Sequence, residues 1–511
     1  MNIQEAKEEI IRTVRIYTAK DENGRYRIPV VHQRPVLLIG PPGIGKTAII
    51  RQAAEECGVG LVAYTITHHT RQSAVGLPVV EERTYQDRKV TVTEYTMSEI
   101  IASVYECMEQ TGAREGILFI DEINCVSETL TPTMLQFLQN KTFGTHRVPE
   151  GWVIVAAGNP PEYNKSARNF DVVTLDRVKT MEIGIDFPVW KAYASGRGIH
   201  SAILSYLSAK PRNFYYIEET RGDREFVTAR GWEDLSVLLK AYEAAEFPVT
   251  EEVIGEYLHC GKICGDFAAY YRMFRTRKKE YAPAELLSGT MDGERLRRQE
   301  KMMAEAVPDE QYSVMQMMLE GLYDRMEAWA EGRRLTVRKE ELFSQLSEWK
   351  DRKDIRNVDQ LLGDFLEQFE KALQVKEEHR LISEEESRRD EAAGRFLGQC
   401  RYRLKEERIA DCAEGLGRLH GWLEKERKSE ERLSGELRDM VERCMAFLEH
   451  SVGRGEELGY FMTSLSMNSA AAEFLSVCSC ERYQKNLDLM VVSDEETELQ
   501  RQVAELKKDG F

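Results

Sequence analysis

Gly40-Pro41-Pro42-Gly43-Ile44-Gly45-Lys46-Thr47 is the stretch on which the fold turns. It fits the pattern G-x-x-x-x-G-K-[ST] and sits between the apolar run Pro35 to Ile39 and the helix-like Ala48 to Cys57, so a buried strand enters it and a helix leaves it. Gly43 and Gly45 lack a Cβ, which lets the backbone curl tightly and turn successive N–H groups toward an anion at the positive end of the following helix. Lys46 supplies a point charge for the terminal phosphate oxygens of a bound polyphosphate. Thr47 offers a hydroxyl to Mg²⁺, a hard cation that prefers oxygen. The eight residues together read as a loop that cradles a nucleoside triphosphate.

A second stretch answers the first. Ile117-Leu118-Phe119-Ile120-Asp121-Glu122-Ile123-Asn124 is a run of bulky apolar residues ending in two carboxylates, as expected of a buried strand with an acidic C-terminal edge. Asp121 is placed to hold Mg²⁺ with Thr47, and Glu122 to orient and deprotonate the water that attacks the terminal phosphate. Trp152 to Ala157 is a further strand, ending at Gly158-Asn159-Pro160. Asn159 there is either a turn former or an amide directed at phosphate or water. Leu175-Asp176-Arg177-Val178 precedes another strand at Thr180 to Ile185. Arg177 reads either as a solvated strand-end charge or as an arginine finger acting across a subunit boundary. Thr228-Ala229-Arg230-Gly231-Trp232 opens a helix with Arg230 at its start, where a positive charge opposes the helix dipole unless it faces an anion.

The 511 residues exceed what one hydrophobic core organises, so several domains are expected. A net charge of −17 disfavours general affinity for nucleic acid or anionic membranes. No run approaches the ~18 apolar residues of a membrane span. Met1 to Lys20 is amphipathic and carries Glu5, Glu8 and Glu9, unlike a secretion signal, which points to the cytoplasm. Ten cysteines without a spacing framework read as reduced thiols.

GPPGIGKT, ILFIDEIN, AAGNP, TLDRV and TARGW stand in the order of an AAA+ ATPase, and the sequence resembles the MoxR-like group of that superfamily over roughly residues 1 to 260. The resemblance implies an α/β P-loop NTPase core with a five-stranded parallel sheet and a helical lid. It also implies assembly as a homo-oligomer, a hexameric ring, with ATP and Mg²⁺ bound and ATP hydrolysed at subunit boundaries. Carried over by position, Gly40, Pro41, Pro42, Gly43, Ile44, Gly45, Lys46 and Thr47 bind the nucleotide, Thr47 and Asp121 the metal, and Glu122 is the catalytic carboxylate. Asn159 becomes sensor 1, Arg177 the arginine finger and Arg230 the sensor 2 of the lid. Arg168, in NKSARNF, is a second candidate for the finger. Thr67 to Pro78 falls where members carry a pore or substrate loop, and Lys141 to Glu150 where they carry a pre-sensor hairpin. This chain has Thr-Ala-Arg where MoxR-like proteins show Thr-Pro-Arg. A von Willebrand A-type protein is the partner class that the likeness implies.

The domain layout expected from these patterns is a nucleotide-binding α/β domain at 1–186, a helical lid at 187–275, a linker at 276–296 and an all-α, partly coiled-coil region at 297–511. In the last of these, Leu361, Leu362, Phe365, Phe369 and Leu373 form one apolar stripe. Leu433, Leu437, Met440, Val441, Cys444 and Leu448 form another, and such stripes need helical partners. Neither Cys478-x-Cys480 nor His259-Cys260 with Cys264 supplies a four-ligand metal set. The expected function is an ATP-driven motor that remodels a protein partner. The alternatives are an ATP-gated scaffold with little turnover and, against the acidic balance, a nucleic-acid translocase.

Overall fold

The computed structural model describes residues 1–66, 76–85, 88–126, 130–143, 145–164, 166–220, 223–351, 355–378, 382 and 384–487. The chain divides into two compact units, one formed by Met1–Val189 with Thr228–Arg230, the other by Trp190–Val227 and most residues from Gly231 onward.

In the first unit, β1 (Val36–Ile39), β2 (Gly60–Thr65), β5 (Gly116–Asp121), β8 (Trp152–Gly158) and β9 (Lys179–Glu182) form one sheet in the order β2-β5-β8-β1-β9. Every neighbouring pair is parallel. The strands alternate between two cores, as the period of two in a strand requires. Val36, Leu38, Ile117, Phe119, Val153 and Val155 pack with the helices Ile3–Thr18 and Lys46–Cys57. Leu37, Leu118, Ile120, Ile154 and Ala156 pack with residues of the helices Glu99–Thr111 and Thr131–Asn140. With both faces covered, these strands read as continuous apolar runs in the sequence, as buried parallel strands do. The N-terminal helix begins at a capping box between Asn2 and Glu5 and buries Ile10, Ile11 and Val14.

Two short hairpins accompany the sheet. Thr142–Phe143 (β6) and His146–Arg147 (β7) pair antiparallel within the segment expected as a hairpin. Pro78–Tyr85 (β3) and Arg88–Tyr95 (β4) form a longer hairpin that sequence reasoning missed, although Val90 and Val92 alternate there with polar residues. The expected substrate loop lies mostly at 67–75, outside the described residues.

The second unit is helical, with one more missed hairpin, Tyr216–Thr220 (β10) against Asp223–Val227 (β11). The segment expected as a linker, 276–296, is instead part of the packed body. It holds the end of the helix Gly261–Tyr281, the helix Pro283–Ser288 and the start of the helix Gly293–Glu305. Tyr281, Leu286 and Leu287 share a core with Leu322, Trp329, Val441 and Leu448. Pro283 stands in the first turn of its helix and Gly289 closes it in the left-handed conformation, so these residues bound a helix and do not mark a flexible joint.

Helices Pro308–Glu348 and Cys412–Ser451 run for 41 and 40 residues. Leu361, Leu362 and Phe365 are buried with Leu397, Cys400 and Leu419, Phe369 packs at the margin of that core, and Leu373 is buried too. Of the second stripe, Leu437, Val441, Cys444 and Leu448 are buried, Met440 is half-buried and Leu433 is exposed. No helix among the described residues is long and apolar enough to cross a membrane.

A partly buried polar cluster ties this unit's helices together. Lys278 Nζ lies 3.3 Å from Glu243 and 3.5 Å from Glu320. Tyr271 donates to Glu243, and Ser201 to Glu320. The fully buried His200 accepts from Ala202 N–H through Nδ1 and turns Nε2 to Glu243 at 3.3 Å. Burial pushes the Glu243 carboxyl upward, but the His200 and Lys278 contacts outweigh it and hold the group below its usual range.

Candidate functional site

The glycine-rich turn joins β1 to the helix Lys46–Cys57, and its φ angles explain its composition. Gly43 and Gly45 have φ of 73° and 94°, a region that side chains with a Cβ rarely enter. Space is a second reason at Gly43, where a Cβ would come 3.0 Å from Thr228 Oγ1. Thr228–Arg230 belongs to the same compact unit as this turn. The expected phosphate loop and the expected sensor 2 segment are therefore in contact.

Lys46 is buried, and its ammonium donates to the carbonyls of Gly40 and Pro41 and to Asn159 Oδ1, each at 2.8 Å. These three bonds use all the donors that an ammonium has. Burial lowers its pKa to about 8; the Asp121 carboxylate opposes that shift and Arg230 adds to it. The cation is thus poised between carboxylate, amide and guanidinium.

β5 delivers the acidic edge. Thr47 Oγ1 donates to Asp121 Oδ2 at 2.9 Å, so a hydroxyl and a carboxylate, both hard oxygen donors, stand side by side where the sequence expected a metal. Asp121 Oδ1 accepts the N–H of Glu122 at 2.9 Å. Glu122 adopts φ of 56°, an uncommon conformation for a residue with a side chain, and breaks the strand at this edge. Such backbone outliers cluster at functional sites. Asn159 follows directly on the adjacent strand β8, which places its amide beside Lys46.

Lys46, Thr47, Asp121 and Asn159 are joined by hydrogen bonds; Glu122 is joined to Asp121 through its backbone, and Arg230 acts on Lys46 through its charge. Arg177 is not part of this group. It is exposed, its guanidinium donates to Gln139 Oε1, and it makes no hydrogen bond or ion pair with Lys46, Thr47, Asp121 or Glu122. Arg168 is also exposed, on the segment that follows Asn159. Sequence reasoning missed Asn124 and Gln139, and read Thr228 only as a candidate cap of its helix, not as a neighbour of Gly43. A polar residue between the apolar Ile123 and Val126 is the one signal that marked Asn124.

The donor set fits a magnesium nucleotide: a cradle kept open by glycines, a lysine at its mouth, and an adjoining hydroxyl–carboxylate pair. Residues 36–174 match the family described as AAA, the ATPase family associated with various cellular activities. No curated protein matches the chain. Among solved structures, the crystal structure of the FIGL-1 AAA domain in complex with ADP is similar at 15% identity, over 52% of this chain and 81% of that one, with a TM-score of 0.29. The family match begins at the first residue of β1 and ends at Thr174, three residues before Arg177, and so encloses the glycine turn, the acidic edge and Asn159; over this part the chain is similar to an AAA ATPase domain.

Proposed function

We propose that the chain binds ATP with Mg²⁺ at a subunit boundary, hydrolyses it, and uses the cycle to remodel a protein partner, in the manner of a MoxR-like motor. The observation that carries this reading is the pair of hydrogen bonds Lys46–Asn159 and Thr47–Asp121, which unite groups far apart in sequence at one sheet edge. Gly40 to Thr47 would hold the phosphates, Thr47 and Asp121 the metal, and Glu122 the attacking water. Bound Mg²⁺ would supply charge neutralisation on the phosphate oxygens. Asn159 and Arg230 lie within reach of the same charge and would report its presence to the backbone of β8 and to the helix Ala229–Ala244.

Arg177 supports assembly. A guanidinium held at the surface by Gln139 can serve a neighbouring copy's site, and the exposed apolar Val172, Val173 and Leu175 lie just before it. A ring of six follows the same likeness, as does a partner of the von Willebrand A type.

The test is ATPase rate per subunit measured against protein concentration. The reading expects a rate that rises on assembly and collapses in Glu122→Gln with ATP affinity retained. Tight binding with no turnover at any concentration would replace the motor by an ATP-gated switch.

A further inference from the structure

Asn124 follows the acidic pair by two residues, in the single turn Ile123–Cys125, and is only 6% exposed. Its Nδ2 donates to the Asn159 carbonyl at 2.7 Å and to the Arg168 carbonyl at 3.3 Å. Its own backbone carbonyl accepts the Arg168 N–H at 3.0 Å. One residue, two positions after the acidic edge of β5, therefore grips the turn after β8 and both backbone polar groups of an exposed arginine. The orientation of the carboxamide follows from its neighbours, because exchanging its oxygen and nitrogen would set an acceptor against two carbonyl oxygens.

The remaining atom, Oδ1, is buried and has no hydrogen-bond partner. It lies against Gly158, where a Cβ would approach it to 2.5 Å. An aliphatic side chain would fill the space without the cost of an unsatisfied acceptor. What only the amide offers is a donor directed at the two carbonyls. Gly158 is the residue that leaves room for it.

We propose that Asn124 is a positioning residue that holds the Asn159 turn and the Arg168 backbone in register with the Asp121–Glu122 edge, so that a displacement of the turn is passed to the arginine-bearing segment. Its kinetic consequence rests on the ATPase reading above; the clamp itself does not.

Asn124→Asp keeps the size of the side chain but faces both carbonyls with a carboxylate. Amide hydrogen exchange at 157–159 and 166–170 is expected to accelerate by about tenfold or more in this variant, with protection of the helix Lys46–Cys57 unchanged. Turnover is expected to fall by about tenfold with ATP affinity within about threefold of the parent. Gly158→Ala, which displaces the carboxamide from the opposite side, should reproduce the pattern. Unchanged exchange at the two segments in both variants would overturn the proposal. So would a uniform loss of protection that includes the Lys46–Cys57 helix, which would mark Asn124 as ordinary core. Should the parent hydrolyse no ATP, the exchange result still decides on the clamp, and only the ATPase reading falls.

Discussion

Lys46 Nζ and Asn159 Oδ1, 113 residues apart in the chain, share a hydrogen bond of 2.8 Å. The amide thus touches the one cation that a polyphosphate in the glycine cradle must also engage. A group so placed can sense which partner the lysine has. Asn159→Ala is expected to leave ATP affinity within about threefold while lowering single-turnover hydrolysis by about tenfold or more. Titration calorimetry and quenched-flow measurements on the same preparation would separate the two effects.

Lys46 also predicts a pH dependence. With its pKa lowered to about 8, the empty-site lysine loses its proton as pH rises through that value, whereas a bound polyphosphate favours the charged form. Binding above pH 8 then takes up a proton, and ATP affinity weakens with rising pH, by at most about tenfold per unit. Lys46→Arg, permanently charged, should flatten the profile between pH 7.5 and about 9.5 even where it weakens binding overall. Dissociation constants across that range provide the check.

Arg177 is exposed and bonds to Gln139, so, in the assembly proposed above, its loss should be repairable by a neighbour. Arg177→Ala alone is expected to bind ATP normally and lose about a hundredfold or more in rate. Mixed with Lys46→Ala, which cannot bind ATP well but retains the arginine, it should regain part of that rate. Rates that stay flat across all mixing ratios would assign the finger elsewhere, with Arg168 the next residue to examine.

The partly buried cluster of the helical unit carries a stability prediction. Lys278→Met leaves the half-buried Glu243 and Glu320 carboxylates without their shared ammonium, and leaving partly buried charged acceptors short of a donor in this way costs about 1–3 kcal/mol. Glu243 is held below its usual range, so its contribution in the parent is present above the unfolded carboxylate pKa and is lost as pH falls below it. The deficit of the variant should therefore stay constant from neutrality down to the unfolded carboxylate pKa and shrink only as pH falls further, toward the lower folded value. Adding Glu243→Gln should recover part of it. Urea denaturation at several pH values measures all three.

Much of this was legible before any coordinates. The strands β1, β5 and β8 were visible as continuous apolar runs because a parallel sheet covered on both faces needs apolar residues at every position. Lys46, Thr47, Asp121 and Glu122 stood out because phosphate and magnesium chemistry demands those residue types at those places. The hairpins at 78–95 and 216–227 were harder to see. A two-stranded ribbon with exposed faces tolerates Glu, Arg and Thr throughout, so its alternation is weak. The supposed linker failed for a related reason: Pro283 and Gly289 read as breakers until Leu286 and Leu287 are seen in the core, where the same residues begin and end a helix.

By itself the sequence determined which residue types stand at the glycine turn and at the acidic strand end and which helices are amphipathic, because local patterns suffice to specify these. Only the tertiary structure decided which distant groups meet. Lys46 reaching Asn159, Gly43 abutting Thr228, and Asn124 gripping Asn159 and Arg168 all depend on strand order and on the close approach of backbone segments. Such contacts lie between residues whose spacing in the chain carries no period, and packing alone brings them within hydrogen-bond reach.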